Sequence, residues 1–485
     1  MIINAITKIE NNILTIKHFI DLETGEIYED IARLFNSIPK KNTSIYINDF
    51  AHISIYFCDF FAKMGFNNTI NADLAPNQYN IRAKDNSINR IVLMIKNYKY
   101  CFVDYCDKFG QEFNGDLTLY NYAKENGYTK NTIASDAFET WVKSRYGRSE
   151  TRFETMRNDF PILDNQTQLL MDKVKEQVCK GYQFACIKKY DALFEMDQFS
   201  AYPAQLCGRT PKGKAFIFDN LEQVPTSYYK IITFTYTGLK LKNGYIDFIK
   251  FDLGRYDTFG TLTAPECYFR LMQQHYIFNY KITKIHAFKT ELNRFKNIVN
   301  KLVIQGRKGQ SKPIAKYNKA LAVALVGKFG QKTTKEQCYI ENGQIMRKMG
   351  ELEPIYTPLH IFVVCNQKCL LIRTHQRFKQ YVAYSNTDSL LTTEIIDNIN
   401  DGIESTIEDL GLFRPKSMLK RVGINGVNKY YAIDENNAVK TCLSGIQFEE
   451  TPTIEQLETG KLLRRQYIPD YKTMTTTVVY EKVRI

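Results

Sequence analysis

Apolar runs that stop at a polar turn and then resume recur along this chain, and two of them stop at a carboxylate. Val382-Ala383 gives way to Tyr384-Ser385-Asn386-Thr387-Asp388-Ser389 before Leu390-Leu391 resumes, which predicts a β-hairpin with Asp388 at its tip. Phe194-Glu195-Met196-Asp197 reads as a strand ending at Asp197, ahead of Gln198-Phe199-Ser200-Ala201-Tyr202-Pro203. Other alternating runs predict strands at Ser44–Ile47, Lys230–Tyr236 and Gly244–Ile249, and Asn342-Gly343 predicts a two-residue hairpin turn. Helical spacing predicts helices over Glu29–Phe35, over Phe57–Met64 up to Gly65, from Thr132 with Ser135 or Asp136 as cap, and through most of 140–180. Further on it predicts a Pro-started helix over Cys267–Met272, a basic helix over Lys289–Lys301, and a helix over Ile314–Phe329 with Lys319, Val323 and Val326 on one face. A short helix is expected over Thr453–Thr459, ending at Gly460.

Composition narrows the picture. At 485 residues with 44% hydrophobic content, two to four subdomains with packed cores are expected. The net charge of +13 is spread along the chain and points to a polyanionic partner, nucleic acid first; solvated charge is the plainer alternative. The 32 Tyr and 31 Phe interleave with Lys and Arg in a way that suits base stacking, although a compositional bias towards Asn, Lys, Ile and Tyr would produce them too. Eleven scattered cysteines read as free thiols of a reducing compartment, because Cys365-x3-Cys369 and Cys101-x4-Cys106 lack a second pair with zinc-like spacing. His360, Cys365, Cys369 and His375 do not all share one helix face. With no basic-then-apolar leader and no apolar stretch of about eighteen residues, a soluble, cytoplasmic protein is expected.

Two carboxylates at strand ends, brought together, can hold a pair of Mg²⁺ ions for phosphoryl transfer. Asp197-x2-Ser200-Ala201-Tyr202-Pro203 resembles motif A of family B DNA polymerases, and Tyr384-x-Asn386-Thr387-Asp388-Ser389 resembles their motif C. Lys319 with Gly327-Lys328-Phe329-Gly330 resembles motif B, and Lys429-Tyr430-Tyr431 the later Lys-x-Tyr element. The order of these motifs, with two insertions, is that of the protein-primed branch of the family. The resemblance implies an α+β right-hand polymerase of palm, fingers and thumb behind a shortened RNase H-like exonuclease-type domain. It implies domain limits of 1–178 for that first domain and 179–485 for the polymerase: palm 179–225 and 354–430, inserted terminal-protein region 226–290, fingers 291–330, hairpin insertion 331–353 and thumb 431–485.

By the same resemblance Asp197, Asp388 and the backbone carbonyl of Gln198 hold two Mg²⁺ or Mn²⁺ ions. Arg307, Lys319 and Gly327 meet the incoming dNTP, Tyr202 excludes a 2′-hydroxyl, and Lys429 with Tyr431 holds the primer strand. The implied partners are template and primer DNA, dNTPs and a terminal protein, in the host cytoplasm, with no membrane. The chain departs from the family pattern at Asn386, where motif C has an Asp, and at Val323 and Val326, where motif B has Asn and Tyr. In the first domain, Asp21-x-Glu23 and Asn48 resemble exonuclease motifs, but His52 and Asn126 stand where metal-binding Asp residues belong, so the nuclease is expected to be inactive. The replacements also leave open a catalytically defective protein that binds DNA or a terminal protein. An RNA-making polymerase is disfavoured by Tyr202.

Overall fold

The computed structural model describes residues 1–71, 73–84, 87–110, 116–253, 257–405, 407–443, 452–459 and 462–483; Gly460, the expected end of the last helix, lies outside them. Three sheets organise these residues. In the first, the short apolar strand Thr43–Ile47 lies parallel to both Ile2–Glu10 and Tyr98–Asp104, and Ile13–Asp21 and Ser87–Ile95 add antiparallel outside them. Ile45 and Ile47 are fully buried there, under a helix over Phe50–Lys63. That helix begins seven residues before the expected Phe57, because Phe50, Ile53 and Phe57 already form the apolar stripe it packs with.

Two hairpins from far along the chain extend this sheet at its two ends. Thr334–Glu341 with Gln344–Glu351 joins through Cys338 opposite Ile81, and Leu462–Asp470 with Thr475–Val483 joins through Leu14 opposite Thr476. The Asn342-Gly343 turn has φ of 50° and 73°, the left-handed pair that a two-residue hairpin of this twist demands. The hairpins meet: a Cβ at Gly343 would stand 2.6 Å from the Cβ of Lys472. Leu462–Asp470 and Thr475–Val483, in the segment expected to be the thumb, thus hydrogen-bond into the N-terminal sheet.

The second sheet holds the two carboxylates. Its order runs Val439–Leu443, Lys429–Ile433, Phe413–Gly426, Lys188–Gln198, Ser389–Thr392, Val382–Asn386, Gln183–Ala185, all antiparallel. The helix Thr357–Arg377 is buried along most of its length in the largest core, together with the helices Asn165–Val178, Ala201–Leu206 and Lys312–Phe329. The third sheet, Arg209–Phe218, Tyr276–Leu292, Tyr229–Leu241 and Phe259–Pro265, packs against the helix Glu266–His275.

Three local expectations give way to tertiary context. Lys289 pairs with Lys212 and Thr290 with Pro211 in a ladder, so the strand runs to Leu292 and only Lys296–Val299 and a π-turn at Asn300–Ile304 are helical. Gly244–Ile249 forms no strand; Asp247 and Ile249 bind the Tyr276 hydroxyl, and a helix covers Phe248–Leu253. Thr132, not Ser135 or Asp136, caps the helix Ile133–Tyr146 by accepting from the Ser135 amide, which frees Asp136 for a buried ion pair with Lys108.

Candidate active site

Strand pairing brings Asp197 and Asp388 together. Asp197 lies opposite Ser389, and the Gln198 amide donates to the Asp388 carbonyl at 2.9 Å, so the end of one strand is tied to the tip of the predicted hairpin. The tip itself is the two-residue turn Thr387-Asp388 between paired Asn386 and Ser389. Thr387 takes φ of 59° there, and its amide donates to the Tyr182 carbonyl at 2.9 Å. Gly181 sits directly against this turn: a Cβ would lie 2.8 Å from Thr387 Oγ1.

Burial, and then the neighbouring Asp197 charge, pushes the Asp388 carboxyl up to about 6, while Lys319 and Lys416 pull the other way. A pair of crowded oxygen donors with a raised acid is a site short of positive charge, which fits hard divalent cations. The Gln198 side chain points away into the core, donating to the Gly411 carbonyl at 2.5 Å, and leaves only its main chain for the site. The Tyr202 phenol, at the start of the helix Ala201–Leu206, is pushed up to about 12 by burial and then by the Asp388 charge. Ser200 makes the turn into that helix at φ 53°.

The cationic side is built from two segments. Lys319 acts on Asp388 from the helix Lys312–Phe329. Arg307 stacks over the Phe199 ring at 5.0 Å, and Arg414, from the strand beside Asp197, stacks over the same ring at 4.1 Å. Burial and Arg414 lower the Arg307 pKa, and Arg307 Nη1 is buried with no hydrogen-bond partner. Two guanidiniums held against one ring with an unused N–H make a place for a polyanion.

Sequence reasoning missed Arg414, Lys416 and Glu195. Lys416 pairs with Glu195 at 3.1 Å, and against the cost of burial its pKa is raised by Glu195, Asp197 and Asp388. The only signal was their alternation on adjoining strands, which says nothing of what lies across them.

Other expected residues are placed differently. Gly327 is on open helix surface, with nothing within 4 Å of a Cβ. Val323 is 37% exposed, whereas Val326 is buried in the main core. Lys429 is exposed at its turn, but Tyr431, expected at the primer strand, is 2% exposed, packed with Leu443, Ile454 and Leu457 and over Gly423. Asn386 spends its amide on structure: Nδ2 donates to Asn428 Oδ1 at 2.8 Å, and Oδ1 accepts from Thr387 and Gln183. Asn428, beside Lys429, also donates its amide to the Tyr384 hydroxyl, so the turn carrying Lys429 is anchored to motif C.

In the first domain Asp21 is buried and accepts from the Glu23 amide, Glu23 accepts from the Tyr120 hydroxyl at 3.0 Å, and Asn48 accepts from the Ala5 amide. His52 stacks on Tyr467 at 4.0 Å with its pKa lowered by burial. Tyr122 exchanges hydrogen bonds with Asn318, and Asn126 donates to the Tyr122 carbonyl. Among the described residues, no three carboxylate or imidazole ligands converge within 4.8 Å in this domain.

No family model matches the chain. It is 28% identical over 248 residues to the DNA polymerase of Bacillus phage phi29, a match that spans 46% of this chain and 42% of the relative. It is 26% identical over 299 residues to the DNA polymerase of Streptococcus phage Cp-1, spanning 56% of this chain and 51% of that relative. The alignments therefore cover about half the length of these curated relatives. In fold, the likeness to the phi29 DNA polymerase complexed with primer-template DNA and incoming nucleotide has a TM-score of 0.80 at 17% identity, over 100% of this chain and 99% of the other. The post-translocation complex of that polymerase with primer-template DNA gives 0.81. The chain thus has the α+β fold of the phi29-type polymerases, and among the described residues no helix is long and apolar enough to cross a membrane.

Proposed function

We propose that this relative of the protein-primed family B phage polymerases is itself a DNA-directed DNA polymerase, adding dNTPs to a primer hydroxyl during replication of a linear mobile-element genome in the host cytoplasm. The single observation that carries the reading is the convergence of Asp197 and Asp388 at tied strand ends, beside Lys319 and the Arg307–Arg414 pair. Asp197, Asp388 and the Gln198 carbonyl are the groups that would hold two Mg²⁺ or Mn²⁺ ions; bound there, the ions supply Lewis-acid activation of the primer hydroxyl and of the leaving pyrophosphate. Lys319 and Arg307 neutralise the triphosphate, with Arg414 beside them. The Tyr202 ring excludes a 2′-hydroxyl by sterics, which selects dNTPs over ribonucleotides. Lys429 holds the primer backbone, and a terminal protein offering a hydroxyl is the expected first primer.

In the first domain the candidate nuclease residues are engaged in structure, which supports a loss of 3′–5′ exonuclease activity. A second reading, a catalytically silent protein that binds DNA or a terminal protein, is favoured by the commitment of Asn386 to Asn428 and by the burial of Val326. Incubation with a primed template, dNTPs and Mg²⁺ separates the two: incorporation that vanishes in Asp197→Ala supports the polymerase. Salt-sensitive DNA binding without incorporation, in Mg²⁺ or Mn²⁺, supports the silent protein instead.

A further inference from the structure

Outside the carboxylate site, one other cluster of ligand-type side chains stands out. Cys365 and Cys369 are one helical turn apart on Thr357–Arg377, and Cys267 faces them from the helix Glu266–His275; the three sulfurs all lie within 4.8 Å of one another. Cys267 and Cys365 are 3.9 Å apart at sulfur, and Cys365 and Cys369 are fully buried. Helical spacing alone brings two of these thiols together; the third comes from an element almost a hundred residues earlier, so no local pattern reveals the set.

From this geometry we infer that Cys267, Cys365 and Cys369 form a binding site for one Zn²⁺ ion, a structural staple between the third sheet's helix and the long helix beneath the carboxylate site. Zinc bonds to thiolate at about 2.3 Å in a tetrahedron, which sets sulfurs roughly 3.8 Å apart. The Cys267–Cys365 separation already has that value, and the remaining sulfurs need to close by no more than about 1 Å.

A second observation points the same way. The Tyr229 hydroxyl, buried in the neighbourhood of the same sulfurs, has no hydrogen-bond partner. Deprotonated on binding the metal, the sulfurs would become acceptors able to compensate such a buried, unpaired hydroxyl. On binding, each thiol proton is released to solvent as a zinc–sulfur bond forms, so nothing is oxidised or reduced. Soft thiolates select Zn²⁺ over the Mg²⁺ suited to Asp197 and Asp388, so the two sites do not compete.

The test uses the full chain. Protein produced in zinc-supplemented medium and dialysed against a weak chelator should retain one zinc per chain. The apo protein titrated with Co²⁺ in excess Mg²⁺, which occupies the carboxylates, should develop a sulfur-to-cobalt charge-transfer band whose intensity corresponds to three thiolates. Cys365→Ser and Cys369→Ser should each weaken the band, and Cys186→Ser, an exposed thiol elsewhere, should leave it unchanged. Thermal unfolding of the wild type should shift upward with zinc and stay put in the variants. Where a buried serine prevents folding, the wild-type band intensity decides by itself. Zinc-free wild type without a charge-transfer band, an intensity of fewer than three thiolates, or a band indifferent to Cys365→Ser and Cys369→Ser would overturn the inference.

Discussion

In the proposed site Asp388 is the side chain on which most depends, and its environment makes its behaviour testable. Its carboxyl is raised to about 6 in the folded chain by burial and by Asp197, against roughly 3.9 in an unfolded one. A raised acid binds its proton more tightly when folded, so in the absence of metal its contribution to stability is greatest below the unfolded value and is lost as pH rises through about 6. Asp388→Asn should therefore stabilise metal-free protein at neutral pH by on the order of 1 kcal/mol after solvent screening, read as a higher melting temperature, while abolishing incorporation. Because protons and cations compete for the carboxyl, the Mg²⁺ concentration needed for half-maximal incorporation should rise as pH drops through about 6.

Gly181 gives a second residue-scale outcome. Because a Cβ there meets Thr387 at 2.8 Å, Gly181→Ala should displace the catalytic turn and slow incorporation by at least about tenfold, or ~1.4 kcal/mol. Circular dichroism should show the fold intact. Asn386→Asp loses the amide donated to Asn428, which can turn over and donate in return, so the change in rate should stay within about tenfold. Much at this scale was legible: Asp197, Asp388, Tyr202, Arg307 and Lys319 carried a motif or a loop signature. Tyr431 was not, because an alternating strand does not say which of its faces is covered, and Gly423 opened the space that its ring fills.

At the scale of elements, turn chemistry was readable and ladder pairing was not. Asn342-Gly343 announced its hairpin, and Pro265 the helix that follows it. The strand through Lys289 carries helix-compatible residues, but its backbone groups pair with Arg209–Phe218, a partner some eighty residues earlier that no window shows. The hairpin's own attachment is testable. Cys338 is 1% exposed where the hairpin meets Ile81. Cys338→Asp puts an unpaired carboxylate in that seam and should cost roughly 2–4 kcal/mol of stability. Thermal unfolding followed by circular dichroism should show the loss.

Across the whole molecule, the first sheet curls until its two outer hairpins touch at Gly343 and Lys472, and residues from both chain halves share one core. The motif order indicated the polymerase fold, but not that the last hairpin pairs with the first sheet, because strand alternation cannot name the sheet a hairpin will join. The net charge of +13 belongs to this scale too, and DNA affinity should fall steeply and linearly in log–log form with added salt. The most direct measurement is primer extension by wild type and Asp388→Ala at matched DNA occupancy. Incorporation by the wild type that disappears in the variant, with DNA affinity retained, is the expected result; a variant that extends the primer at the wild-type rate would contradict the assignment of Asp388 and with it the proposed polymerase site.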